Sequence, residues 1–352
     1  MTKKEQKQNR RKKKLFLAIL MILFTGVLLS TSTYAWFTAN KTVKVDEINV
    51  QVAASNGLQI SVDGINWKAS VNETDILGAK TTYSGAVNQI PSSYSTPVST
   101  AGLVNANGRM LMYKGEVSTN DDGNYTFKAS SSAETTGESS GGTSGDFVAF
   151  DLFFKVSSSQ TLYLISGAGV TLDNASSASG IQNAARVGFV VLGNTPSSSA
   201  SGTIQALNTG ANSPVYIWEP NYDTHTGAAV QAAKTTYGLD TTQTNASQIT
   251  YYGVKNTISS EIMLSPLAAS DTYDNYFGTT HSGSFTKVEP KITTANGTLG
   301  SDAYVTAFEL TEGVTKVRVY LWVEGQDVDC ENDASGGSIN YALNFGIKDT
   351  NA

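Results

Sequence analysis

The chain has 352 residues, only 15% of them charged, with one cysteine, two histidines and a formal net charge of −6. Eight of its 24 basic side chains lie within residues 1–14 beside one acid, Glu5, so the remainder carries 16 basic against 29 acidic groups. An acidic body repels phosphate and argues against a nucleic-acid partner, and the lone Cys330 excludes an intrachain disulfide, so stability must come from the core itself.

The basic run 1–14 is followed by the apolar run 15–29, broken only by Thr25 and Gly26, and then by Ser30 to Thr33 and Tyr34-Ala35-Trp36-Phe37. A basic n-region, an apolar h-region and small residues at Thr33 and Ala35 are the parts of a signal peptide. Residues 1–35 are therefore expected to be a signal peptide, processed near Ala35 by signal peptidase after use of the export machinery. The alternative is an uncleaved helical membrane anchor with Trp36 and Phe37 at the outer interface. In both cases residues 36–352 lie outside the membrane, because positive charge stays cytoplasmic.

From Val43 the chain alternates. Val43, Val45, Ile48 and Val50 mark a half-buried strand, Leu58 to Val62 a second, and Asp63-Gly64 a hairpin-type turn. Strand patterns recur at 110–113, 125–127, 147–156, 161–165, 187–192, 215–218, 303–310, 316–323 and 339–347. Residues 147–156 are too apolar for an edge strand. In 317–323, Val317, Val319, Leu321 and Val323 share one face, and Arg318, Tyr320 and Trp322 the other. Short helices are compatible with 181–185, 228–233 and 259–267. Ser/Gly-rich stretches near 118–145 and 193–213 read as exposed, mobile insertions. The expected fold is all-β, an antiparallel jelly-roll-like β-sandwich with long loop insertions, preceded by the N-terminal signal or anchor helix.

Chemistry-bearing motifs are sparse. His225 and His281 both sit in Thr/Gly/Ser-rich surroundings, and no His-Glu-x-x-His, Gly-x-Ser-x-Gly, phosphate-binding or dinucleotide-binding pattern is present, so no catalytic or cofactor-binding residue is assigned. Asp327, Asp329, Glu331 and Asp333 alternate after the strongest strand. They are calcium-ligand candidates, although the glycine and glutamate spacing of an EF-hand is missing and a solvated acidic loop is the favoured account. Cys330 fits a small buried filler. Tyr216, Trp218, Tyr222, Tyr251, Tyr252, Tyr273, Tyr276 and Phe277 offer either core packing or a surface for stacking on sugar rings.

Tyr34-Ala35-Trp36-Phe37 after the apolar run, Ala185-Arg186-Val187-Gly188-Phe189, and the stretch from Val317 to Asp327 resemble TasA- and camelysin-type secreted proteins of Gram-positive bacteria, the last stretch in particular their clostridial members. The resemblance implies a jelly-roll surface or biofilm-matrix protein. Its copies would join end to end as a homopolymer, the N-terminal strand of one, here Trp36 to about Val52, completing the sheet of the next. The metalloprotease activity described for camelysins finds only two histidines to serve it here. The expected role is thus exported, structural and non-catalytic, with self and cell-wall or matrix glycans as partners and calcium as the sole candidate cofactor. A carbohydrate-binding adhesin is the main rival, and a secreted hydrolase the third.

Overall fold

Twenty strands form among the described residues, and fourteen of them build two seven-stranded sheets. The computed structural model describes residues 43–53, 57–94, 96–119, 125–138, 145–172, 180–265, 271–330 and 337–348. The export segment with Thr33 and Ala35, and the acids Glu331 and Asp333, lie outside them. Strands are numbered in chain order.

The first sheet runs Tyr304–Leu310 (β18), Gln160–Ile165 (β10), Ser338–Gly346 (β20), Val43–Val52 (β1), Ser70–Asn72 (β3). Gly169–Leu172 (β11) also pairs with β20, and Ser93–Tyr94 (β5) with β1. The second runs Ile292–Thr294 (β17), Val215–Pro220 (β13), Ala185–Thr195 (β12), Gly313–Val323 (β19), Val148–Val156 (β9), Gln59–Ser61 (β2), with Asn88–Gln89 (β4) also on β9. The two sheets face one another across one apolar cluster. Phe154 of the second lies 6.1 and 5.3 Å from Phe308 and Phe345 of the first, and Phe189 lies 5.6 and 5.8 Å from the same two rings. Interdigitation of this kind makes a β-sandwich. Its class is all-β, as the alternation in the sequence requires.

Two strands behave as their sequences demand. β9 is flanked along its length by β19 on one side and by β2 and β4 on the other. All eleven residues of β19 are buried. Val317, Val319, Leu321 and Val323 enter the sandwich core. Tyr320 and Trp322 point the opposite way, into a cluster with Val98, Met110, Met112 and Phe147.

That outer face is covered because two insertions fold over it. Val98–Ser99 (β6), Met112–Thr119 (β7), Tyr125–Ser132 (β8) and Ile258–Ser265 (β15) form a four-stranded sheet, and Tyr252–Val254 (β14) pairs with Phe285–Lys287 (β16). The helix Gly227–Tyr237 starts at Thr226, whose side chain accepts the Ala229 N–H, and stops at Gly238 with φ 66°. A Cβ at Gly238 would meet the Asp271 carbonyl at 2.6 Å, so glycine is required there on two counts. These elements have their own apolar cluster, centred on Phe127, Tyr237, Tyr273, Phe277 and Phe285.

Several expectations need correction. The sandwich is not wholly antiparallel: β1 runs parallel to β20, and β13 to β17. Of the expected helices only 228–233 forms, within Gly227–Tyr237. Residues 259–265 supply strand β15, because Ile258 and Ile262 pair with Ala129 and Phe127 of β8, and 266 and 267 lie outside the described residues. Ile181 to Ala184 form a turn leading into β12. The Ser/Gly-rich insertions also carry structure. Ser130 to Ser132 pair with β7. Thr135 and Glu138 donate backbone N–H groups to the side chains of Gln89 and Asn88. Within 193–213, Ser201–Gln205 is a short helix whose Ile204 packs on Phe153 and Val314. Polar composition did not prevent order, since neighbouring strands and amides supply the backbone partners.

Candidate functional site

The described part of the expected assembly strand, Val43–Val52, is β1, and residues 36–42 lie outside the described residues. Val43, Ile48 and Val50 are 0%, 3% and 0% exposed, and Val45 packs at the edge of the same cluster. Their spacing changes phase, from odd positions at 43 and 45 to even ones at 48 and 50. A β-bulge resolves the change: the register with β20 steps from Val45↔Ile339 to Glu47↔Asn340, so one extra residue of β1 is absorbed. All four apolar side chains thereby reach one face. β1 fills the slot between β20 and the short strands β3 and β5.

As far as it is described, through Cys330, the acidic stretch after β19 is not a solvated loop. Asp327 and Asp329 are 2% and 0% exposed, in a tight turn where the Asp327 N–H bonds the Glu324 carbonyl and the Cys330 N–H bonds the Asp327 carbonyl. Cys330 is buried at the margin of the sandwich core. The carboxylates are drawn inward by two partners. The Arg186 guanidinium, fully buried on β12, donates to Asp327 Oδ2 and Glu219 Oε1, each at 2.5 Å. His225 Nδ1 lies 2.8 Å from Asp329 Oδ2. Asp329 Oδ1 accepts the Thr226 N–H at 2.8 Å, and Asp327 Oδ1 accepts the Asp329 N–H at 2.8 Å. Nearby, Glu324 is 0% exposed and accepts from Trp322 Nε1 and from the Gln326 N–H. Burial pushes the carboxyls of Glu219 and Glu324 up from 4.5 to about 7, while Arg186 beside them pulls the other way. His225 is buried too, yet its bond to Asp329 and the surrounding carboxylates raise its pKa.

A second buried charge cluster lies on the same outer face. Arg318 binds Asp151 through Nε at 2.8 Å and Nη2 at 3.3 Å, and Glu134 through Nη1 at 3.2 Å. Lys316 Nζ stands 3.5 Å from Asp151 and donates to the Tyr83 hydroxyl and the Gln205 carbonyl. Arg318 and Lys316 hold the Asp151 carboxyl below its ordinary range despite complete burial. Glu134 was missed in the sequence because it is embedded in a Ser/Gly-rich run. The signal was on the other partner, a Lys and an Arg alternating with valines in an otherwise largely apolar strand.

The aromatic group is core. Trp218, Tyr251, Tyr252, Tyr273, Tyr276 and Phe277 are at most 6% exposed, and only Tyr216 and Tyr222 are half-buried. Trp218 Nε1 donates to Thr294. No stacking platform is formed by these rings. A cleft of about 630 Å³ does open beside them, lined by Lys234, Asp240, Gln243, Gln248, Asp274 and Lys287 among others. The histidines are not arranged for serine chemistry. His225 Nε2 faces the Ser247 carbonyl at 2.9 Å, not a hydroxyl, and His281 packs edge-on against Tyr276.

No helix among the described residues is long and apolar enough to cross a membrane. Compared with known proteins, the chain matches no family model, no curated protein and no solved structure.

Proposed function

We propose that the chain is an exported, non-catalytic structural protein of the bacterial cell surface or biofilm matrix, whose copies polymerise by exchanging β1. The observation that carries this reading is the seat of β1. It is a strand near the N-terminal end of the body, it fills a central slot of the first sheet, and its partner β20 runs parallel to it. Withdrawing β1 would uncover Ile339, Tyr341, Leu343 and Phe345, all at most 1% exposed. A β1 from a second copy carries the matching apolar pattern and the same bulge. The basic and apolar runs at 1–29 support export, with signal peptidase and the export machinery as the first partners.

The test is assembly of the body from Trp36 onward, followed by light scattering and negative-stain electron microscopy. A Gln51→Cys/Asn344→Cys pair, opposite one another in the β1–β20 register, locks β1 into its own chain when oxidised. Fibres that form reduced but not oxidised support exchange. Fibres indifferent to the lock rule it out.

A carbohydrate-binding role is a second reading, favoured by the cleft at Asp240, Gln248 and Asp274 and no longer by the buried Tyr/Trp cluster. A glycan array on which Asp240→Ala and Gln248→Ala bind like the parent protein would remove it.

A further inference from the structure

We propose that His225, Asp327 and Asp329 hold a divalent first-row transition cation, such as zinc or manganese, that clamps the insertion carrying the helix Gly227–Tyr237 to the turn after β19. One ligand atom from each lies within 4.8 Å of the others, and all three residues are buried. Metal–ligand bonds of about 2.0–2.2 Å set neighbouring donors roughly 3.0–3.4 Å apart, so the widest pair must close while His225 Nδ1 and Asp329 Oδ2, now 2.8 Å apart, open slightly. This ligand set shares the two aspartates with the calcium site expected from sequence but replaces its remaining acids with an imidazole. Imidazole with carboxylates suits zinc or manganese, whereas calcium prefers oxygen alone.

Three further observations point to a cation. Each ligand has its other polar atom held by the fold: His225 Nε2 by the Ser247 carbonyl, Asp329 Oδ1 by the Thr226 N–H, and Asp327 Oδ1 by the Asp329 N–H. Such outer partners fix ligand orientation, and the Ser247 carbonyl selects the tautomer with the proton on Nε2. Nδ1 then faces the Asp329 carboxylate at 2.8 Å, an arrangement that takes either a proton or, with the pair opened slightly, a metal ion between them. Finally, the surrounding network is crowded with carboxyl groups. Glu219, Glu324, Asp327 and Asp329 are all at most 2% exposed, with Arg186 as the one permanent cation among them. Glu219 Oε2 has no hydrogen-bond partner among the described residues, although Glu219 is near enough to feel both His225 and Asp327. Arg186 occupies one lone pair of Asp327 Oδ2 and leaves others for a metal.

The positive centre is either the metal or a second imidazole proton, and the two are separable. The full chain, in mild detergent on account of its apolar run, is stripped with chelator and titrated with Zn²⁺, Mn²⁺ and Co²⁺. The expected result is one retained equivalent, visible Co²⁺ d–d absorption and a higher melting temperature. His225→Gln and Asp329→Asn should weaken binding by more than the roughly 10–100-fold that loss of an outer partner costs, with His281→Gln unaffected. With two histidines in the chain, ¹⁵N imidazole spectra of the unmutated protein are assignable even if a variant fails to fold. Protons on both His225 nitrogens after metal addition, no retained metal, or metal retained equally by His225→Gln would each overturn the proposal.

Discussion

Asp151 faces two cations from inside a sheet, and its replacement is the sharpest test of the outer charge cluster. Asp151→Asn leaves Lys316 buried against a neutral amide and Arg318 with Glu134 as its remaining carboxylate, which should cost about 3–5 kcal/mol. Urea unfolding would register this as a lower midpoint at unchanged slope; a change below about 1 kcal/mol would mean that water reaches the cluster. Asp63 gives a pH-dependent counterpart. Although burial opposes it, the carboxylate accepts from Thr82 Oγ1, from the Asn66 and Ile65 N–H groups and from the Asn66 side chain, and its pKa falls from 3.8 to about 2. A depressed acid contributes stability that is present above its ordinary pKa and lost as pH falls through the folded value. The melting-temperature gap between the parent protein and Asp63→Asn should therefore be full above about pH 4 and close toward pH 2. A gap constant across that range would contradict the assignment. Asp63 was legible as a turn residue from Asp63-Gly64. The partners of Asp329 and Arg318 were not, because His225 stands 104 positions from Asp329 and Glu134 stands 184 from Arg318.

At the scale of elements, legibility followed length and alternation. β1, β9, β12, β19 and β20 each have nine or more residues, and their apolar runs or alternation located them, with opposed faces assigned in β19. Strands such as β4, β5 and β6 have two residues each and exist only because longer neighbours present unpaired backbone groups. No local signal marks such a strand. The same holds for β15, where Ile258 and Ile262 stand four apart as on a helix and the open edge of β8 decided the outcome. The phase change in β1 was visible as spacing, yet the bulge it implies emerged only with the β20 register. Ile48 lies just beyond that bulge at 3% exposure, and Ile48→Ala should cost about 2–5 kcal/mol, measured by thermal or urea unfolding of the locked monomer. A loss below about 1 kcal/mol would indicate that β1 is only loosely seated.

For the whole molecule, the buried acids set the pH at which the sandwich and its insertions hold together best. Glu219 and Glu324 titrate near 4.5 when unfolded and at about 7 in the fold. An acid with a raised folded pKa keeps its proton while the unfolded chain releases it, so stability falls as pH rises from about 4.5 to 7. The melting temperature should decline across that window, and Glu324→Gln should flatten the decline. A profile flat in both proteins would show that these carboxyls are solvated.

The parallel pairing of β1 and β20 has a mechanical consequence. Their register runs from Lys44↔Ser338 to Val52↔Phe345. Tension applied to the chain before Val43 and after Gly346 therefore drags the two strands past one another lengthwise. Eight paired positions bear that load together instead of opening one by one. A body hauled by its two ends resists in shear, the geometry in which a sheet is hardest to pull apart.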